Sequence, residues 1–282
     1  MEIHPEDDMV KEHKKKLSLK KITQANRSAW NEVHPVHQKK WQKDFRKLFR
    51  DAKYTTLDDI ESARLKKIGL KGKKVGQLCC NNGRELISLM KLGAREGVGF
   101  DISDEVIREA RELAFISGRN CKFIRTDVYD IGKEHYGQFD LVYLTSGALT
   151  WLPDLKKFFL LIAKMLKKNG SLMIYELHPF VNMLACEYEE GFQDPLKIAY
   201  SYFKKEAWID NRGIDYIGKS VYQSRTNISF SQTISSIMNS IIQSGIRITE
   251  FNEYPHDISG LFTKTVTDMQ VPLSYILVGQ KK

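Results

Sequence analysis

A chain of 282 residues, 42% hydrophobic and 28% charged, carries enough apolar material for a substantial core, either one large domain or one domain with an insertion. It contains no run of about 18 apolar residues, which argues against a membrane-spanning helix. Its opening "MEIHPEDDMV" lacks the apolar stretch of a secretion signal, so a cytoplasmic protein without a membrane partner is expected. The net charge of +9 invites a nucleic-acid reading, but the lysines are spread along the chain and no RNA- or DNA-binding signature accompanies them. Cys79, Cys80, Cys121 and Cys186 fit neither zinc-ligand spacing nor a disulfide framework, so reduced, mostly buried thiols and no metal site are expected.

The densest basic group, "KEHKKKLSLKK" at 11–21, reads as a solvated arm covering residues 1–22. N-terminal helices follow over 23–72. Residues 35–50 place Trp41, Phe45, Leu48 and Phe49 on one helical face, and "TTLDDIESARLKKIG" offers Thr56 as N-cap, Asp59 at the reciprocal capping position and Gly69 as the stop. From residue 73 short apolar strands alternate with amphipathic helices. The pattern gives strand 74–79, helix 83–92, strand 96–100, helix 103–117, strands 121–126 and 139–145, helix 153–168 stopping at "NG", and strand 171–177. Such alternation implies a parallel sheet with helices on both faces and right-handed crossovers, the doubly wound α/β class. Segment 180–230 breaks the alternation: it is rich in aromatic residues and holds "DNRG", a hairpin turn within "EAWIDNRGIDYIG", so it reads as an insertion. Helix 231–244, with an isoleucine stripe ending at Gly245, and strands 246–254 and 273–279 resume the pattern and complete a domain over 73–282.

Ligands of such sheets bind beyond the carboxyl ends of the strands, where the strand order reverses. The first strand here ends in "LCCNNG", the second in "GVGFDIS", the third in "RTDVYD" and the fourth in "YLTSGALTWLPDL". Asp101 follows Gly83 by eighteen residues and closes the second strand, where a carboxylate can accept both hydroxyls of a ribose. Asp127 ends the third strand beside Val128, a carboxylate for an exocyclic amine next to an apolar cover for a purine face. Taken singly, each aspartate is as readily a helix cap or an Asx-turn residue.

Together, in order, these motifs make residues 73–178 with strands 246–254 and 273–279 resemble a class I S-adenosylmethionine-dependent methyltransferase. The resemblance implies a mostly parallel seven-stranded sheet whose last strand is antiparallel, with S-adenosylmethionine as cofactor. Its first-strand motif, D/E-x-G-x-G-x-G, survives here only in Gly83: Gln77 stands at the acidic position, Cys79 at the first glycine and Asn81 at the second. Lost glycines argue against a pyrophosphate ligand more than against a cofactor that has none. Asn81 and Asn82 can keep the turn, since asparagine tolerates positive φ best among non-glycine residues. By the same resemblance Asp101 and Ile102 would meet the ribose, Asp127 and Val128 the adenine, and Thr145 the region of the methyl group. An N-terminal lid would contribute Trp30, Asn31 and His37, and Trp151, His37 and His178 become candidates for the methyl acceptor, His178 also as a general base.

The stretch "FDLVYLTSGALTWLPDL" with "YELHP" resembles a subset of these enzymes from bacteria and archaea that act on small molecules or have no assigned substrate; the aromatic insertion and the absence of an RNA module favour transfer to an O, N or S atom of a small acceptor, by a monomer or homodimer. An RNA or protein methyltransferase, a nucleotide-dependent oxidoreductase and a non-catalytic cofactor sensor stay open as other readings. Trp151 and the single histidines equally fit packing roles.

Overall fold

Alternating β and α segments need somewhere to bury two faces at once, and a parallel sheet covered on both sides supplies it. In the computed structural model, which describes residues 17–41, 43–185, 194, 197–218, 220–262 and 264–282, β1 (Lys74–Leu78) pairs in parallel with β2 (Glu96–Asp101) and with β4 (Phe139–Leu144). Strand β3 (Cys121–Arg125) flanks β2, and β5 (Leu166–Leu177) flanks β4, both in parallel. Strand β9 (Ser274–Lys281) inserts antiparallel between β5 and β8 (Ile246–Tyr254). The seven-stranded order is β3-β2-β1-β4-β5-β9-β8, so the order reverses between β1 and β4 and a crevice opens there at the carboxyl ends.

Helices α4 (Arg84–Leu89) and α5 (Asp104–Ser117) cover one face, around a core that includes Val75, Leu86, Ile107, Leu113 and Tyr143. Helices α6 (Leu155–Met165) and α7 (Ile234–Gln243) cover the other, around Phe158, Phe159, Ile162, Leu172 and Ile241. Full burial of each such side chain is worth about 1.5–3 kcal/mol. The caps follow from sequence: the Ser103 hydroxyl accepts the Val106 N–H at α5, and Thr233 with Ser236 forms a capping box at α7.

The structure departs from the sequence reading in four places. The N-terminal helix α1 spans Leu19–Lys40, beginning inside the segment read as an arm and running through Pro35, instead of a helix over 35–50. Only a short α2 (Phe45–Leu48) remains of the second half of that stretch. Helix α3 (Asp59–Ile68) does stop at Gly69, but its N-cap is Asp58, whose carboxylate takes the Glu61 N–H at 2.7 Å, while Thr56 is held by Ser88. Strand β5 begins immediately after α6, because Leu166 pairs with Phe139 before a bulge that takes up "NG". Finally, "DNRG" does not turn a tight hairpin: β6 (Trp208–Asp210) pairs antiparallel with β7 (Asn227–Ser229), and the residues between form a long loop. Cys186 and residues 1–16 lie outside the described residues. No helix among the described residues is long and apolar enough to cross a membrane.

Candidate active site

Beyond β1 the chain turns sharply through left-handed backbone at Cys79 (φ 53°), Asn81 (φ 48°) and Gly83 (φ 73°). Asparagine accepts this region; cysteine seldom does, at a cost of roughly 1–2 kcal/mol. Only the last position excludes a side chain outright, since a Cβ on Gly83 would stand 2.3 Å from the Phe123 ring. This steric demand is why one glycine of the motif remains. The turn is tied down by its neighbours: Cys80 N–H donates to Phe100 O (3.0 Å), Asn82 N–H to Asn81 Oδ1 (2.7 Å), and Asn81 N–H to Asp101 Oδ2 (2.9 Å).

Asp101 receives a second N–H, that of Ser103, on its other oxygen at 3.0 Å. A carboxylate has about four lone-pair sites, so acceptor capacity remains for the hydroxyls of a ribose. Burial raises the Asp101 pKa, against the pull of the Ser103, Asn81 and Ile102 N–H groups. Asp127 caps the turn Val128–Asp130 by accepting the Tyr129 N–H with one oxygen. Cys79 lies among these groups: burial, then the charges of Asp101, Glu176 and Asp127, push its thiol well up. Gln77 is placed lower. It lies within β1, fully buried, side by side with Tyr143 of β4, and neither its amide atoms nor the Tyr143 hydroxyl has a protein partner. A buried amide of this kind calls for a polar group to meet it.

At the end of β5 the Glu176 carboxylate accepts four backbone N–H groups, those of Gly147 (2.7 Å), Ala148 (2.6 Å), Leu149 (2.9 Å) and Leu177 (3.0 Å). Burial nevertheless pushes its pKa up to about 7. Those donors fill the carboxylate and fix the loop that carries Thr145, exposed Ser146 and the turn Leu149–Trp151. Glu176→Ala is therefore expected to destabilise the fold by about 3–5 kcal/mol, since several buried N–H groups lose their acceptor at about 1–3 kcal/mol each, and Glu176→Gln should recover part of it. Urea unfolding of the three proteins measures this; equal stability of the alanine variant and wild type would refute the clamp.

His178 does not stand free at the acceptor position. Its Nδ1 accepts the Phe180 N–H at 3.0 Å, capping the turn Pro179–Met183, and its Nε2 lies 3.0 Å from Glu253 Oε1. The neutral ring has one lone pair, and the cap occupies it, so the general-base role expected from sequence has no free atom here. The extended backbone that Pro179 imposes is what directs the ring back onto its own turn.

Helix α1 roofs the strand ends. Asn31 Oδ1 accepts the Ser103 hydroxyl (2.7 Å) and the Asp104 N–H (2.9 Å), while Arg27 holds the Asp104 carboxylate with two bonds of 2.9 Å. Asn26 exchanges two hydrogen bonds with the backbone of Ile228 in β7. Trp30 meets Trp151 edge to face at 5.4 Å and Tyr216 at 6.2 Å. Trp30 and Trp151 are thereby brought together above the crevice. His37, a candidate for the acceptor, is buried against the loop after β6, its Nε2 3.2 Å from Ile214 O and its ring 4.5 Å from Tyr216, so it packs within the roof. His34 stands 3.2 Å from Glu109, which also accepts from Asn82 at 3.3 Å. Asn26, Arg27, Glu109 and Tyr216 escaped the sequence reading because their partners lie up to two hundred residues away. Among the described residues no three of His, Cys, Asp and Glu are placed to hold a metal ion.

Comparison with known proteins agrees with this geometry. Residues 75–170, the span from β1 to the start of β5, match the family described as a methyltransferase domain. Among solved structures, an S-adenosylmethionine-dependent methyltransferase from Mesorhizobium loti superposes with a TM-score of 0.56 at 18% identity, covering 78% of this chain and 96% of its own. A protein of the same description from Methanosarcina mazei gives 0.56 at 15% identity over 80% and 98%. Geranyl diphosphate C-methyltransferase from Streptomyces coelicolor A3(2), solved with Mg2+, geranyl diphosphate and S-adenosyl-L-homocysteine, gives 0.58 at 10% identity over 93% and 98%. Identities this low establish the fold. No curated protein matches the sequence. Residues 75–170 match a methyltransferase domain, and the chain has the fold of solved S-adenosylmethionine-dependent methyltransferases.

Proposed function

We propose that this protein transfers the methyl group of S-adenosylmethionine to an O, N or S atom of a small molecule. The observation that carries this reading is the Asp101 carboxylate, fixed by the Asn81 and Ser103 N–H groups with acceptor capacity to spare, hydrogen-bonded to a loop that turns through left-handed backbone. Asp101 and Ile102 would hold the ribose, Asp127 and Val128 the adenine, and the loop Cys79–Gly83, with the unpaired Gln77 amide below it, the amino-acid end. When bound, the cofactor supplies an electrophilic sulfonium methyl. The chain contributes position: the Glu176 clamp sets Thr145 and Trp151 at one side of the crevice, and Trp30 closes it from above. Since Glu176 and His178 both have their lone pairs engaged, alignment, worth up to about 7–11 kcal/mol, is the principal contribution of these residues, and an acceptor that is already a nucleophile at neutral pH is the best fit.

A small acceptor is favoured because α1 and the segment from β6 to β7 roof the strand ends, a roof stitched by Asn26 to Ile228 and by Lys40 to Asp215 at 2.8 Å. The geranyl diphosphate C-methyltransferase that shares this fold was solved with geranyl diphosphate, a small molecule. Calorimetric titration with S-adenosylhomocysteine and with NAD, then a screen of small nucleophiles for S-adenosylhomocysteine release, tests the proposal. Binding of NAD but not S-adenosylhomocysteine would overturn it. Turnover on RNA alone, with binding that weakens steeply with salt, would overturn the small-molecule assignment.

A further inference from the structure

Arg84 opens α4 immediately after Gly83, and a cation is the unfavourable charge at a helix N-terminus, where the macrodipole and the unpaired N–H groups favour anions. Its contacts show what the position is for. The guanidinium lies 4.4 Å from the centroid of the Phe45 ring and 4.8 Å from that of Trp41, two rings that meet edge to face at 5.2 Å. Both distances fall within the roughly 6 Å reach of a cation–π contact. Trp41 caps the end of α1 and Phe45 begins α2, while the Nε–H of the same guanidinium donates to Asn82 Oδ1 in the loop at 2.9 Å. Asn82 is fully buried and spends every polar end on a neighbour: its N–H goes to Asn81 Oδ1 (2.7 Å), its Nδ2 to Glu109 Oε2 in α5 (3.3 Å), and its Oδ1 accepts from Arg84. Cys79 and Asn81 hold left-handed backbone, which persists only where the surroundings enforce it. The aromatic pair is itself anchored, since Arg46 of α2 holds Glu112 of α5 with bonds of 2.6 and 2.9 Å.

We infer that Arg84 is a positioning residue that ties the cofactor loop to the roof: stacked on Trp41 and Phe45 and bonded to Asn82, it fixes the turn Cys79–Gly83 against the end of α1, so that cofactor affinity depends on the docking of that helix. This rests on the proposed S-adenosylmethionine site. The arrangement uses the plane of the guanidinium, which stacks and donates from one rigid group; a lysine ammonium is a point charge on a flexible stem and cannot do both in this way. The coupling is reciprocal. Whatever the docked roof contributes to cofactor binding, bound cofactor returns to the docking of the roof.

The test is a double-mutant cycle read by calorimetric binding of S-adenosylhomocysteine, with thermal unfolding of each variant and amide hydrogen exchange over residues 33–41 alongside. Arg84→Met keeps the length of the side chain and removes the charge and the donor; it should raise the Kd about tenfold, and Arg84→Lys should raise it nearly as much. Trp41→Leu should raise it about threefold, the scale of one exposed cation–π contact, and adding it to Arg84→Met should change the Kd by less than about twofold, because the cation it served is gone. In the wild type S-adenosylhomocysteine should slow exchange at the end of α1, and in Arg84→Met that slowing should be lost. An unchanged Kd in Arg84→Met would overturn the inference. So would losses that multiply in the double variant, or full recovery in Arg84→Lys, either of which would put the charge on the ligand itself. A lowered melting temperature with the slowing of exchange intact would reduce Arg84 to a packing residue and overturn it as well. Wild-type protein that fails to bind S-adenosylhomocysteine would overturn the proposed function and this inference together.

Discussion

Replacing Asp101 with alanine is expected to weaken S-adenosylmethionine binding by about 1.5–3 kcal/mol, roughly 10- to 150-fold in Kd, while leaving the protein folded. Two losses combine. The ribose hydroxyls forfeit a charged acceptor, and the Asn81 and Ser103 N–H groups forfeit the oxygens that hold the loop. Asp101→Asn separates them, since an amide keeps one acceptor oxygen and presents a donor at the other position; it should retain part of the loop geometry but bind one hydroxyl at most. Calorimetry on folded variants measures both. Affinity unchanged in Asp101→Ala would remove this carboxylate from the site.

How much of this was legible in sequence depended on whether a segment's buried face was apolar. Strands β1 to β4 and helix α5 were read to within a residue or so, because apolar residues such as Val75, Val98, Leu113 and Val142 fall on the buried face of their element. Helix α1 was not, although it is the longest among the described residues: the face it buries carries Thr23, Asn26, His34 and His37 as well as Ile22, Ala29 and Val33. A helix that docks through hydrogen bonds has no hydrophobic stripe to read. The same limit hid the partner of β6, since β7 is chosen by tertiary contacts with Asn26 and not by the local "DNRG" signal. At the site, the positive φ of Asn81 followed from its side-chain chemistry, whereas that of Cys79 did not, and nothing in a linear reading of "ELHP" shows that His178 turns back onto Phe180.

The histidines of α1 should also make this roof acid-sensitive. His34 and His37 are buried, and burial holds both imidazoles down from 6.5 to about 4. His34 faces Glu109 and Glu105, and His37 faces Asp215 and the Ile214 carbonyl; Glu105, Asp215 and that carbonyl only partly offset the burial, to which His37, Arg108 and Arg46 add at His34, and Arg84 and Lys40 at His37. A group whose folded pKa is depressed favours the fold in its neutral form. That advantage is whole above 6.5 and is lost as the pH falls from 6.5 towards 4, while the unfolded chain takes up protons that the fold refuses. Between pH 7 and pH 5 the loss amounts to about 2 kcal/mol for each imidazole. Two carboxyl groups act in the opposite direction: burial pushes Glu61 up to about 9 and Glu176 up to about 7, so their contribution grows as the pH falls through those values towards 4.5. The wild-type slope is the sum of these opposed effects, and the informative quantity is a difference. A His34→Gln, His37→Gln double variant, whatever packing it loses at pH 7, should regain about 3–4 kcal/mol relative to wild type on acidification to pH 5. Urea unfolding at both pH values, followed by tryptophan fluorescence from Trp30 and Trp41, gives that difference directly. A gap between variant and wild type that stays constant with pH would mean that the two imidazoles do not titrate against the fold, and that the docking of α1 is indifferent to acid.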